Sequence, residues 1–275
     1  MSAQPPAADG AVRQALVLAA GNDDRSEHPA CESKLLQPVL GRPLIVRTLD
    51  TARDAGLRAF EIVLGYQAVL VQAAIERHAP PDVAIHFTYN PYWDLENGIS
   101  VLAARYRLPS RFALLMGDHV FESRVLRQLL RVPTGPDESV LAVDARPTTP
   151  ETAAEATKVQ IRGCHITAIG KALTAFDALD TGMFVCAPSL FPALVSARYG
   201  GDATLSGGVR ILAGRGLMRA FDIGDAVWCD IDTTEDLRRA ESLLGARGAP
   251  AASGLGMTGD TRRSRPASPC CSVFW

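Results

Sequence analysis

The sequence predicts an α/β protein built on an open, mostly parallel but mixed β-sheet with helices on both faces, plus a small auxiliary β-hairpin. Three observations predict it. Short, continuous apolar runs of strand length recur in the first half, the pattern of strands buried on both faces. Helix-length stretches alternate with them, as parallel crossovers require. The polar loops follow the strands, so in such a sheet they gather along the carboxyl edge, where ligands bind.

Residues 1–12 read as a flexible leader rich in Ala and Pro. Residues 14–20, QALVLAA, form the first strand and break into a turn-rich loop beginning at Gly21 and lasting to about Lys34. Pro43 opens a helix running to Ala55, where Gly56 provides the C-terminal stop. Residues 60–64 make the second strand, 68–78 the second helix and 84–88 the third strand. The polar loop 90–97 leads into a short helix over 99–106. Residues 112–116 form a fourth buried strand ending at Gly117, Asp118 and His119, and 122–131 are helical. Shorter strands follow at 139–144, 158–161, 165–169, 180–186, 218–222 and 227–231, with helices over 188–199, 205–214 and 233–244. The pair 158–161 and 165–169 is the auxiliary hairpin, closed by a tight Arg-Gly-Cys turn. Residues 13–245 thus make one domain, and the Gly/Ala/Ser/Pro/Arg-rich stretch 246–275 reads as a disordered tail.

A formal charge of −2 argues against a nucleic-acid binder, which needs a basic excess or a basic face. No apolar run approaches the roughly 20 residues of a membrane helix, and the first ten residues lack the pattern of a signal peptide. The expected location is the cytoplasm. The six cysteines have no metal-ligand spacing and read as reduced. Ser272, not a cysteine, stands fourth from the end, so no prenylation anchor is expected.

Of 28 basic residues only three are lysines: Lys34, Lys158 and Lys171. Arginine has replaced nearly every other one, so these mark positions where a compact ammonium serves and a planar fork does not, unless they are chance survivors. Lys34 and Arg25 bracket the loop after Gly21, which could close over a polyphosphate. The backbone of Leu18, Ala19, Ala20 and Gly21 can cradle phosphate oxygens; tight strand-to-helix packing would favour the same residues. Asp118 ends a buried strand, where a carboxylate is costly without a partner. A divalent cation such as Mg²⁺ is the natural one; a helix cap before Glu122 is the plainer reading. A two-residue hairpin turn would put Lys158 and Lys171 on one face, suited to an acceptor phosphate, although edge lysines also guard strands. Asp180 could accept bonds from ligand hydroxyls or simply be solvated at a strand end. His119 reads as hydrogen-bond support rather than a metal ligand, and Tyr92 and Trp93 as aromatics anchoring their loop.

These residues resemble the signature of the sugar-phosphate nucleotidyltransferase family, L-A-A-G-x-G-x-R followed by P-K. Here it runs from Leu18 through Gly21 to Arg25, then Ser33 and Lys34, with Asp23 and Ser33 replacing the usual second glycine and proline. Residues 41–45 also look like the family's G-x-P-[LM]-[IL] segment. The loop from Asn90 to Ser100, Gly117-Asp118-His119-Val120, Lys158-Val159, Gly170-Lys171 and Asp180-Thr181-Gly182 narrow the resemblance to the inositol-1-phosphate cytidylyltransferases. The similarity spans residues 14–244.

The resemblance implies a Rossmann-like fold of the nucleotide-diphospho-sugar transferase type. It also implies Mg²⁺-dependent transfer of CMP from CTP to a small phosphorylated alcohol, inositol 1-phosphate first among candidates. Asp118 and Asp232 would hold the metal, with Asp230 as substitute. Leu18 to Gly21, Lys34, Asn97 and Ser100 would bind the nucleotide, with Lys34, Arg25 and Asp118 catalytic. Lys158, Lys171, Asp180 and Glu96 would bind the acceptor. A separate membrane-bound lipid transferase would use the product. Phosphocholine, a phosphonate or a hexose 1-phosphate are alternative acceptors, and a nucleotide-sensing module that does not turn over is the non-enzymatic alternative. A glycosyltransferase would carry its D-x-D motif near the middle of the sequence, whereas Asp230-Ile-Asp232 comes late.

Overall fold

The computed structural model describes residues 12–21 and 33–248. Its strands are β1 (Gln14–Ala19), β2 (Pro38–Val39), β3 (Arg42–Pro43), β4 (Ala59–Leu64), β5 (Ala84–Tyr89), β6 (Phe112–Met116), β7 (His119–Phe121), β8 (Ser139–Asp144), β9 (Lys158–Arg162), β10 (His165–Gly170), β11 (Ala178–Cys186), β12 (Met218–Asp222) and β13 (Trp228–Asp230). Its helices are α1 (Leu44–Ala55), α2 (Ala68–His78), α3 (Asn97–Ala103), α4 (Ser123–Leu129), α5 (Pro150–Glu155), α6 (Leu190–Tyr199), α7 (Leu205–Gly214) and α8 (Thr234–Gly248). Among the described residues, no helix is long and apolar enough to cross a membrane.

Nine strands form one mixed sheet in the order β5-β4-β1-β6-β11-β8-β12-β10-β9. The first four run parallel, and β11 reverses direction between β6 and β8. Strand β1 shows why its residues after Gln14 must be apolar. Ala15, Val17 and Ala19 pack in the cluster that contains Leu49 of α1, Ile75 of α2 and Leu126 of α4. Leu16 points the other way, into the cluster with Val101 of α3, Leu194 of α6 and Val209 of α7. A strand covered on both faces can spare no polar position. Helix α1 ends where expected: Gly56 takes a left-handed φ of 118° and its amide caps Ala52 and Arg53 carbonyls.

The hairpin departs from expectation. It joins the main sheet, β10 pairing with β12 and β9 with β11. The turn is two residues, Gly163 and Cys164, but a bulge between Ile166 and Ala168 shifts the register. Lys158 therefore lies opposite Gly170, and the expected common face for Lys158 and Lys171 does not form, because one extra residue inverts side-chain alternation. The short elements β2, β3, β7 and α5 also lie outside the sequence expectation, and α8 runs beyond residue 244 to Gly248. Residues 249–275 of the expected tail lie outside the described residues.

Candidate active site

At the carboxyl ends of β1 and β6 the chain builds an open cleft of about 710 Å³. Leu18, Ala19 and Gly21 line it. Ala20 is buried, its carbonyl accepting the Tyr66 amide at 2.9 Å. Gly21 does not use a left-handed φ, and a Cβ there would meet nothing within 4 Å among the described residues. Gly117 brings the end of β6 against the same turn. Its amide donates to the Leu18 carbonyl at 2.9 Å, and a Cβ would sit 2.8 Å from that oxygen. Asp118 is thereby carried to the glycine turn.

Lys34 opens a short 3₁₀ turn capped by Ser33 and sends its ammonium to Asp118 Oδ2 at 2.9 Å and Asp232 Oδ1 at 2.6 Å. The two aspartates, over a hundred positions apart in sequence, thus converge on one cation. Burial alone would lower the Lys34 pKa, but Asp118, Asp230 and Asp232 outweigh it and hold the ammonium well above its ordinary range. Burial alone would raise Asp118. The Lys34 charge and the His119 hydrogen bond hold it well below the usual carboxylate range instead.

Asp230 enters the centre as well. It pairs with His119 across the β7–β13 ladder, and one ligand atom each from Asp118, His119 and Asp230 lie within 4.8 Å of one another. His119 Nδ1 is 2.9 Å from Asp118 Oδ1 and 3.4 Å from Asp230 Oδ1. Burial would lower the imidazole, yet Asp230 and Asp118 push it up to about 9. The ring lies against Trp228, centroids 6.2 Å apart, and the Trp228 Nε1–H donates to Asp144 at 2.8 Å. Gly182, with φ of 73°, also lies against the ring: a Cβ there would come within 2.8 Å of His119 Cδ2 and Met116 Cγ. Gly182→Ala is accordingly expected to cost about 2–4 kcal/mol in urea unfolding and to lower turnover by displacing His119. A variant as stable as the parent would show that the ring yields freely.

Several expected ligands face elsewhere. Ser100 is buried and bonded by Asn90 Nδ2 at 3.0 Å, so it ties down the 90–97 loop and does not line the cleft. Trp93 packs on Tyr66, centroids 5.2 Å apart, in contact with Gly65, where a Cβ would lie 2.3 Å away. Asn97 and Glu96 do line the cleft, and Asn97 Oδ1 also accepts the Leu205 amide at 2.8 Å. Asp180 turns to the Gly182 amide at 2.8 Å, at an irregularity in β11, and burial pushes its carboxyl up to about 6. Lys158 is 7% exposed and donates to the Lys171 carbonyl at 2.6 Å, while Lys171 lines the cleft. Arg25 lies outside the described residues. Sequence reasoning missed Thr157, Thr204, Ser206 and Arg210 on the cleft wall. Thr204 had a visible signal, a helix cap followed by an apolar helix, whereas Arg210 is one arginine among many.

Residues 15–201 match the model of the MobA-like NTP transferase domain. A Rubrobacter xylanophilus protein named bifunctional IPC transferase and DIPP synthase is 35% identical over 240 residues, covering 84% of this chain and 51% of that protein. A Streptomyces rubellomurinus CMP-5′-(3-aminopropyl)phosphonate synthase is 31% identical over 83% of this chain and 38% of its own length. The chain spans about half the length of three such bifunctional relatives, the Rubrobacter protein among them. Among solved structures, the inositol-1-phosphate CTP transferase of T. maritima superposes with a TM-score of 0.75 at 23% identity, covering 88% of this chain and 99% of that one. That likeness shows the nucleotide-diphospho-sugar transferase fold.

Proposed function

The chain belongs to the MobA-like NTP transferase domain family, and from that premise we propose that it transfers CMP from CTP to inositol 1-phosphate or a closely similar cyclitol or alcohol phosphate, releasing pyrophosphate. The observation that carries this reading is the meeting of Lys34, Asp118 and Asp232 beside the turn at residues 18–21. A cation and several carboxylates beside this turn suit a triphosphate and its counter-ion.

The residues fit Mg²⁺. Asp230 Oδ1 is buried and makes no hydrogen bond among the described residues, and the neighbouring carboxylates are the hard oxygen donors that this ion prefers. Asp118, Asp230 and Asp232 would hold it, and when bound it would supply charge neutralisation at phosphate oxygens. The wall formed by Leu18, Ala19 and Gly21 at the end of β1 would face the triphosphate. An acceptor phosphate oxygen attacks the α-phosphorus in line as the bond to the β-phosphate oxygen breaks, and Lys34 offsets charge on the departing pyrophosphate. A general base is unnecessary, since a phosphate monoester is largely dianionic near neutral pH, its second pKa being about 6. The protein's task is positioning and charge.

The cleft wall also bears on the acceptor. Among the described residues no aromatic ring lines it, so a choline-type cation would lack an aromatic cage. Glu96, Thr157 and Ser206 offer polar partners for hydroxyl groups. The relatives' names support a CTP-derived product: IPC transferase in the longer chains and CMP-phosphonate synthase in the Streptomyces protein. A CDP-alcohol is an activated donor, and a second transferase would consume it.

The test is pyrophosphate release from each of four NTPs crossed with inositol 1-phosphate, phosphocholine, 3-aminopropylphosphonate and glucose 1-phosphate. CTP with inositol 1-phosphate should exceed every other pair by about tenfold or more in kcat/KM. Preference for UTP with glucose 1-phosphate, or release from no pair, would sink the reading.

A further inference from the structure

Among the described residues, three basic ones line the cleft: Lys34, Lys171 and Arg210. Lys34 faces Asp118 and Asp232 on the side of β1 and β6. Lys171 follows β10, in the far half of the sheet beyond the strand reversal at β11, and Arg210 lies on α7, which packs against β10. A dianionic acceptor needs cations away from the metal carboxylates, and these two stand there.

The backbone around Lys171 is prepared for an anion. Arg210 Nη1 donates to the Ile169 carbonyl at 2.9 Å, and the buried Lys158 ammonium donates to the Lys171 carbonyl at 2.6 Å. Both carbonyls flanking Gly170 are thus held by cations, which removes two negative dipole ends that would repel a phosphate nearby. Arg210 is itself fixed by Asp202, whose other carboxylate oxygen takes the Thr204 amide at 3.1 Å and hydroxyl at 2.6 Å. The bonds of Arg210 to Ile169 and Asp202 employ two of the five N–H groups of the guanidinium, in the planar fork that suits phosphate.

We infer that Lys171 and Arg210 seat the phosphate of the acceptor, and that Lys158 is a positioning residue that acts through the Lys171 backbone. The inference rests on the cytidylyl-transfer reading for its substrate, and it reassigns Lys158 from direct contact to support.

Steady-state kinetics on the full chain with CTP and inositol 1-phosphate read the seat directly. Arg210→Gln and Lys171→Ala should each raise the acceptor KM about 10- to 100-fold, as loss of a bond to a charged group implies, and leave the CTP KM within about threefold. Lys158→Met should raise the acceptor KM by less, and adding it to Lys171→Ala should raise it by less than Lys158→Met does alone, because part of its effect runs through the Lys171 side chain. Calorimetric titration of inorganic phosphate reads the seat without turnover, with wild type binding and Arg210→Gln losing about tenfold or more; Arg210→Lys, which keeps the charge, serves if the glutamine variant fails to fold. Equal phosphate binding in wild type and variant, no phosphate binding by wild type, an unmoved acceptor KM, or equal rises for CTP and acceptor would overturn the assignment. Inactivity of wild type toward every nucleotide and acceptor would instead sink the parent reading, and the phosphate titration would still decide the seat.

Discussion

Replacing Lys34 with alanine is expected to lower kcat/KM for CTP about 10³-fold or more, which corresponds to about 4 kcal/mol of transition-state stabilisation. The chain should remain folded, because Lys34 sits in a three-residue 3₁₀ turn at the cleft and lies outside both large apolar clusters. What the substitution removes is a permanently charged ammonium, 12% exposed, set between two carboxylates. Asp118, Asp230 and Asp232 then lose a charge that offsets their mutual repulsion, so the variant should melt lower without divalent cation and regain more from added Mg²⁺ than wild type does. Thermal melts across a Mg²⁺ series measure this apart from turnover. Lys34→Arg should restore little, since a planar guanidinium cannot occupy a site built around a point charge. Turnover within tenfold of wild type in the alanine variant would remove Lys34 from the reaction.

The strength of that expectation reflects how the site was written in the sequence. Asp118 was legible because five apolar residues of β6 run straight into Gly117, and a carboxylate placed there must find a partner. Lys34 was legible because lysine is so scarce in this protein that a surviving one near a glycine turn invites a reason. The register of β9 and β10 was not legible. A single bulged residue between Ile166 and Ala168 leaves no mark on local periodicity, yet it moves Lys158 off the face of Lys171. The place of Asp230 was hidden for a different reason. It depends on pairing with His119 in β7, a strand of three residues whose partner lies more than a hundred positions away. Arg210 reaches the cleft through α7 packing near β10, a tertiary relation that no spacing encodes. Local chemistry was readable from the residues themselves; relations set by register and by distant pairing needed the fold.

Asp118 supplies the second large effect. Asp118→Asn keeps the shape and can still meet His119, but it removes the charge that faces Lys34. Turnover should fall about 10³-fold or more, and Mg²⁺-dependent thermal stabilisation should disappear, because one hard oxygen donor has become a neutral amide. Asp118→Ala should behave likewise in turnover and lose more stability, since His119 and Lys34 both forfeit a partner at a buried position. The informative comparison is the double variant. If Lys34 and Asp118 act as one unit around the triphosphate, Lys34→Ala combined with Asp118→Asn should be hardly slower than either alone. Two independent contributions would multiply instead, to about 10⁶-fold. Pyrophosphate release from the four proteins of this cycle measures the coupling. An asparagine variant that keeps both its Mg²⁺ response and its turnover would place the metal elsewhere.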